Sequence, residues 1–191
     1  ASPNLSNETL HLLAKLVASA GGSGAYTVRI GPEAPLPGVK DLSLRADRAA
    51  NGTGAEILGF KRTASPLDGL ASGDVLVVAD ADLSAATADQ LALPSAILVI
   101  GTTLPDNLRA ASVVLPIANY AEEEGTFTNL RGRVQRFSQA KAAPGMARPS
   151  WWVVGDVLAA LGKGDAYYLA SEVFSAMRSE ERRVGKECSS R

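Results

Sequence analysis

The chain has 191 residues, 46% of them hydrophobic and 20% charged, with 18 Gly, 10 Pro, a single Cys and a formal net charge of -1. That length corresponds to about one to one and a half domains, enough to bury a real core. Nineteen basic against twenty acidic side chains leave no positive field for nucleic acid or anionic membrane; one Cys excludes a disulfide scaffold, and no apolar run approaches the roughly 20 residues that cross a bilayer.

In chain order, Ala1-Ser-Pro-Asn4 lacks an initiator Met and both the basic start and apolar centre of a signal peptide, and is expected to be the interior of a longer chain. Ser6 is placed to cap a helix whose Leu10, Leu13, Ala14 and Val17 recur at the i, i+3, i+4, i+7 spacing, with Glu8 in its first turn. His11, the one imidazole, lies in this helix and reads as a surface or boundary residue. Gly21 to Gly24 stop the helix, Tyr26 to Ile30 read as a strand, and prolines 32, 35 and 37 force an irregular connection. Ala55 to Leu58 predict a short helical turn after Asn51-Gly-Thr-Gly54.

Val75 to Ala79 and Ala96 to Ile100 are apolar without alternation, the pattern of strands covered on both faces in a parallel sheet. Ser84 to Leu93, with Ser84 as its cap, predicts the helix between them and completes a βαβ unit. A short helix over Pro105 to Ala111 and a strand at Val113 to Leu115 repeat the pattern. The expected fold is α/β, a doubly wound, mostly parallel sheet with flanking helices, followed by a short helical part. Ser150 is expected to cap a helix with Trp151, Val154, Leu158 and Leu161 on one stripe, with both Trp151 and Trp152 packing core or boundary. Asp165 to Met177 predict a last helix carrying Leu169, Val173, Ala176 and Met177 on one side.

From Arg178 the chain turns abruptly to charged residues, and Arg178 to Cys188 matches one translated frame of a sequencing-library adapter, so residues 178–191 are expected to be non-native. Without them the body holds 14 basic and 17 acidic residues, a net charge of -3, and no Cys, which leaves no thiolate for an iron-sulfur or structural zinc site. The expected organisation is an α/β domain over 1–138, a loop and two-helix extension over 139–177, and the tail.

Several short strings resemble functional motifs. Gly22-Ser-Gly24 and Gly52-Thr-Gly54 lack the spaced glycine fingerprint that follows a strand and opens a long helix. Asn4, Asn7 and Asn51 start glycosylation sequons that read as chance. Asp80 and Asp82 stand at the end of a predicted strand, where a metal or ribose would bind, but strand termination and helix capping suit them better. The segment Leu115 to Arg136 is denser in polar chemistry. Pro116 ends a buried strand, and ligands of open α/β sheets bind beyond the carboxyl ends of the strands. Glu122, Glu123 and Glu124 precede Gly125; Thr126, Thr128, Asn129, Arg131, Arg133, Gln135 and Arg136 follow. Such a loop serves equally as a polar ligand site or as a clamp of charge-assisted hydrogen bonds.

This stretch resembles the molybdopterin oxidoreductase superfamily, in which a Leu-Pro strand end is followed by an acidic residue, Gly-Thr, an Asn and then Gly-Arg-x-Gln. It is most similar there to the family of the large peripheral-arm subunit of the respiratory NADH-quinone oxidoreductase, complex I. The stretches Ser2 to Glu8, Ala46 to Glu56 and Pro144 to Trp152 agree with the resemblance, which covers most of residues 2–177; Arg131 departs from it, standing where the pattern is usually acidic. The resemblance implies a structural, non-catalytic domain without a cofactor of its own. Iron-sulfur clusters would lie in an amino-terminal region of the same chain, and that region and the other peripheral-arm subunits of complex I would be its partners. The complex would sit in the cytoplasm on the inner face of the bacterial membrane, with no direct membrane insertion. The alternative is an active molybdopterin enzyme of the formate dehydrogenase or nitrate reductase type, in which Thr126, Asn129, Arg133 and Gln135 would contact the pterin dinucleotide. A third reading is an α/β ligand-binding or interaction module without redox chemistry.

Overall fold

The structure, a computed structural model, describes residues 1–40 and 42–188. Helix α1 spans Asn7–Ser19, and the side chain of Ser6 accepts the Thr9 N–H at its start, the expected cap. Two short strands, β1 (Ala25–Tyr26) and β2 (Ala34–Pro35), follow. The strand expected over Tyr26 to Ile30 shrinks to β1 because only residues 25 and 26 find a parallel partner, β4 (Lys61–Arg62), while Ile30 makes an isolated antiparallel bridge to Asp47. In between lie β3 (Ser43–Leu44), which pairs with β2 as an exposed hairpin, and helix α2 (Gly52–Ile57), which begins three residues earlier than its apolar residues alone predict.

The central layer is a parallel sheet of β5 (Val75–Ala79), β6 (Ala96–Gly101) and β7 (Val113–Pro116), in that order, with Val75 opposite Ala96 and Leu98 opposite Val113. The expected α/β class with a covered parallel sheet is what forms. Side chains alternate across it. Val77, Ala79, Leu98, Ile100, Leu115 and Ile117 face a core built with Leu10, Leu13, Trp151, Val154, Leu158 and Val173, while Val78 and Val99 face a second core with Leu67, Leu83 and Leu108. Burial on both faces explains why these strands carry no polar alternation.

The crossover from β5 to β6 contains α3 (Ala88–Ala92), shorter than the expected Ser84 to Leu93. Thr87, not Ser84, is its cap, because Thr87 and Gln90 form a reciprocal capping box, whereas the Ser84 N–H is turned back to Asp82 Oδ1. The second connection holds only a 3-10 turn at Asp106–Leu108. After β7 come the antiparallel strands β8 (Gly125–Thr128) and β9 (Val134–Phe137), then α4 (Ser150–Ala160) and α5 (Ala170–Cys188). Ser150 is the first residue of α4 rather than its cap; Pro149 takes the cap position and Ser150 is drawn inside by Glu123. Helix α5 starts at Ala170 instead of Asp165, since Glu172 Oε2 accepts the N–H groups of Tyr168 and Leu169 just before it, and Leu169 is left exposed.

Helix α5 runs past Met177 into the charged segment, as the helix propensity of its Arg, Glu and Lys residues dictates. Lys15 Nζ donates to Glu180 Oε1 at 2.8 Å. His11 lies at the same contact, with Nε2 3.5 Å from Glu180 Oε2, and is only 7% exposed rather than on the surface. Trp151 is buried, and Trp152 is half-buried under the Arg148 guanidinium at 6.0 Å.

Candidate functional site

The carboxyl ends of β5 and β6 open into a cavity of about 250 Å³ lined by Asp80, Asp82, Gly101, Thr102, Thr103 and Pro105 among others. Asp80 follows the last residue of β5 with φ of +48°, a conformation uncommon for a residue with a Cβ. Its N–H donates to Ile100 O at 2.7 Å, and its Oδ1 accepts from Thr102 N (2.9 Å) and Thr102 Oγ1 (2.7 Å). The bend therefore swings the carboxylate across to the neighbouring strand end. Asp82 Oδ1 accepts the Ser84 N–H at 2.9 Å, and that backbone bond, with the Ser84 side chain, holds its carboxyl below the usual range. Asp80 thus ends its strand and Asp82 closes a turn, neither capping α3 as expected, and they place two carboxylates and two threonines around one crevice.

The Leu115 to Arg136 segment begins beside this crevice. Ile117 N–H donates to Gly101 O at 3.2 Å, carrying the chain off the sheet edge. The three consecutive glutamates then take three different partners. Glu122 accepts Asn119 N–H at 3.1 Å and pairs with Lys141 at 2.9 Å, and the Lys141 bond leads in holding its carboxyl low. Glu123 turns inward to Ser150, accepting its N–H at 2.5 Å and its Oγ at 2.8 Å. Glu124 accepts Arg136 Nη2 at 2.8 Å, and its carbonyl accepts Trp151 Nε1–H at 3.1 Å. Of the two roles the sequence left open, the glutamates perform the clamp: one turn ties β9, α4 and the loop at residue 141 together.

The four residues expected to contact a pterin are not in one place. Asn129 and Gln135 are joined in the β8–β9 hairpin, where Asn129 Nδ2 donates to Gln135 Oε1 at 3.0 Å. Asn129 Oδ1 accepts the N–H of Arg131 and of Arg133, which shapes the exposed tip. The Arg133 side chain is exposed and its guanidinium makes no hydrogen bond or ion pair among the described residues. Thr126 is 8% exposed and faces the interior: its N–H and Oγ1 donate to the two oxygens of Glu8 at 2.8 and 2.9 Å, and its Oγ1 accepts from Asn7 Nδ2.

That contact belongs to a buried polar cluster. Asn7 Nδ2 also donates to Thr128 Oγ1, Asn51 Nδ2 donates to Leu5 O and Asn7 Oδ1, and Asn51 Oδ1 accepts Thr128 N–H at 2.8 Å. The glycines nearby leave it room. A Cβ on Gly54 would stand 2.2 Å from Asn51 Oδ1 and 2.3 Å from Asn7 Oδ1; one on Gly125 would meet Ser6 Cβ at 2.8 Å. The Gly52-Thr-Gly54 string is therefore a packing device for amides rather than a phosphate loop. Asn7, Glu8 and Asn51 of this cluster did not stand out as site residues in the sequence, although Asn7 and Glu8 are polar residues in the first turn of a predicted helix. Among the described residues no three His, Cys, Asp or Glu side chains stand close enough together to hold a metal ion, and no helix is long and apolar enough to cross a membrane.

A covered parallel sheet with a polar crevice at its carboxyl edge is the α/β arrangement in which ligands bind beyond the strand ends. The sequence profile of the molybdopterin oxidoreductase family matches residues 6–160, so the chain belongs to that family. It is 34% identical over 87 residues to the assimilatory nitrate reductase catalytic subunit of Bacillus subtilis, a match over 44% of this chain and 12% of that protein. With the F420-dependent formate dehydrogenase 2 subunit alpha of Methanococcus maripaludis it shares 39% identity over 109 residues, 55% of this chain and 16% of the relative. A nitrate reductase of Klebsiella oxytoca is 39% identical over 62 residues, 32% of this chain and 7% of that protein. The chain thus spans a small part of the length of the relatives it matches.

Proposed function

We propose that the chain is part of a molybdopterin-dependent oxidoreductase of the formate dehydrogenase or nitrate reductase type, and that it contributes the α/β unit holding the nucleotide end of the cofactor. The observation that carries this is the crevice at the ends of β5 and β6, in a chain whose relatives are nitrate reductases and a formate dehydrogenase. The donor set fits one part of such a cofactor. The carboxylates of Asp80 and Asp82 accept hydrogen bonds from sugar hydroxyls or the N–H edge of a base, whereas a phosphate would be repelled by them. Gly101 lies at the crevice wall, where an added Cβ would crowd Thr103 O at 3.0 Å. The exposed guanidinium groups of Arg131 and Arg133 on the hairpin supply the matching positive charge for phosphate. When bound, the molybdenum centre supplies the electron exchange with substrate; the residues of this chain bind and orient.

The test is cofactor occupancy in the intact parent protein. Asp80→Asn keeps Oδ1 for Thr102 but replaces one acceptor by a donor. It is expected to lower molybdenum and nucleotide content by about tenfold, the scale of one hydrogen bond to a charged group, with the circular dichroism spectrum unchanged. Unchanged occupancy in Asp80→Asn and in Asp82→Ala would refute the assignment.

A second reading is the cofactor-free structural domain of the large peripheral-arm subunit in an NADH-quinone oxidoreductase. It would dock on an iron-sulfur region of its own chain and on other peripheral-arm subunits at the inner face of the membrane. Its support is that Thr126 and Asn129 spend their side chains on hydrogen bonds to other residues of the chain, and that Arg131 departs from the acidic pattern. Iron without molybdenum in the purified parent protein would favour it.

A further inference from the structure

Side chains tie together the two loops that wall the crevice at the ends of β5 and β6. The Asp80 N–H donates to Ile100 O, and its Oδ1 accepts from both the N–H and the Oγ1 of Thr102, at 2.9 and 2.7 Å. A second tie joins the same loops: Asn107 Nδ2 donates to Leu83 O at 2.8 Å. Asp80 and Thr102 line the crevice, whereas Asn107 and Leu83 do not. One tie therefore braces the walls, and the other holds a carboxylate that faces the cavity.

The lone pairs show what that carboxylate can still do. Each of its oxygens accepts about two hydrogen bonds. Thr102 fills Oδ1, while Oδ2 accepts none among the described residues. The Thr102 hydroxyl has a single hydrogen, which it gives to Asp80, so toward a ligand it is an acceptor alone. Both groups thus present acceptors to the crevice, the polarity that suits a sugar hydroxyl or the N–H edge of a base.

Asp80 depends on this partner for its orientation. With φ of +48° it has left the line of its strand, and it is half-buried rather than packed in the core. A carboxylate in such a place samples several rotamers unless a bond selects one. Among the described residues, Thr102 alone hydrogen-bonds it.

We propose that Thr102 is a positioning residue of the crevice: its N–H and hydroxyl pin Oδ1 of Asp80, so that Oδ2 is the fixed acceptor that meets a hydroxyl or N–H of the ligand. This rests on the reading of the crevice as the seat of the nucleotide end of the cofactor. An oxygen already held in place loses less freedom when the ligand arrives, and the difference appears as affinity.

Molybdenum and nucleotide content of the purified intact parent protein tests the role. Thr102→Val removes the hydroxyl and keeps the N–H at an exposed position, where the fold tolerates it. Content is expected to fall about fivefold, the scale of one hydrogen bond, and to return to the wild-type level in Thr102→Ser. Asp80→Gly suits the left-handed backbone and removes the carboxylate, so adding Thr102→Val to it is expected to lower content no further. Asn107→Ala cuts the other tie without touching Asp80 and is expected to leave content unchanged. Wild-type content in Thr102→Val, with Asp80→Asn reduced, keeps the nucleotide site and overturns the positioning role. An equal loss in Thr102→Ser, in Asn107→Ala or on top of Asp80→Gly also overturns it, because each assigns the loss to the loop rather than to the held oxygen. Failure of the crevice reading itself gives a different result, wild-type content in both Asp80→Asn and Asp82→Ala, and this proposal falls with it.

Discussion

Asn51, Asn7 and Gly54 show how one missing methyl group decides a local structure. The two amide oxygens fill the space that a Cβ on residue 54 would take, at 2.2 and 2.3 Å, so neither can retreat without abandoning its bonds to Thr128 or Asn51. Gly54→Ala is therefore expected to cost about 3 kcal/mol, the upper range for overpacking, measurable as a lower urea midpoint. Glu123 gives the sharpest dependence on pH. Burial raises its carboxyl from 4.5 to about 7, so the folded state holds a proton that the unfolded chain has released. A raised carboxyl contributes stability that is full below 4.5 and lost as pH rises through about 7. The difference across that window is about 3 kcal/mol, and denaturation curves of Glu123→Gln should lack it. Arg133 is the opposite case, an exposed side chain with no partner among the described residues. Arg133→Ala should leave thermal stability within about 0.5 kcal/mol, while cofactor occupancy of the intact protein falls if the hairpin meets phosphate.

Elements in this molecule are held by what crosses between them rather than by their own propensities. Helix α1 is the hub: its Leu10, Leu12, Leu13 and Leu16 are buried against α4, α5 and the sheet, and its first turn hydrogen-bonds β8 and α4. Leu158 on α4 packs in the same cluster and is 1% exposed. Leu158→Ala removes a fully buried side chain that the surrounding helices cannot collapse onto. A loss of about 3 kcal/mol is expected, checked by denaturant unfolding with an unchanged m-value. The boundaries of the elements follow the same logic. Ser150 leaves the cap position it was expected to fill because a buried carboxylate needs its N–H and hydroxyl more than the helix end does. Thr87 takes over from Ser84 because Gln90, three residues on, completes a reciprocal pair.

For the molecule as a whole, the stretches on which the family resemblance rests come together in three dimensions. Asn7 and Glu8 from the first, Asn51 and Gly54 from the second, Glu123, Thr126 and Thr128 from the third and Ser150 from the fourth form one buried polar joint. A joint of this kind sets the position of the β8–β9 hairpin and of the loop leaving β7 relative to the sheet edge where the crevice lies. Thr126 and Thr128 brace the interior, while Asp80, Asp82 and the hairpin arginines lie outside it.

The amino-acid sequence alone determined the class of fold, because unbroken apolar strands, glycine stops and helical stripes are local signals that need no partner to be read. It also marked Leu115 to Arg136 as special from its density of polar groups. It did not reveal that Glu122, Glu123 and Glu124 diverge to three partners, that Thr126 is internal while Arg133 is outside, or that Asp80 bends across to Thr102. Those outcomes were decided by the tertiary structure, since a buried polar side chain takes whichever partner the packing of distant segments brings within hydrogen-bond reach, and sequence spacing does not encode that distance.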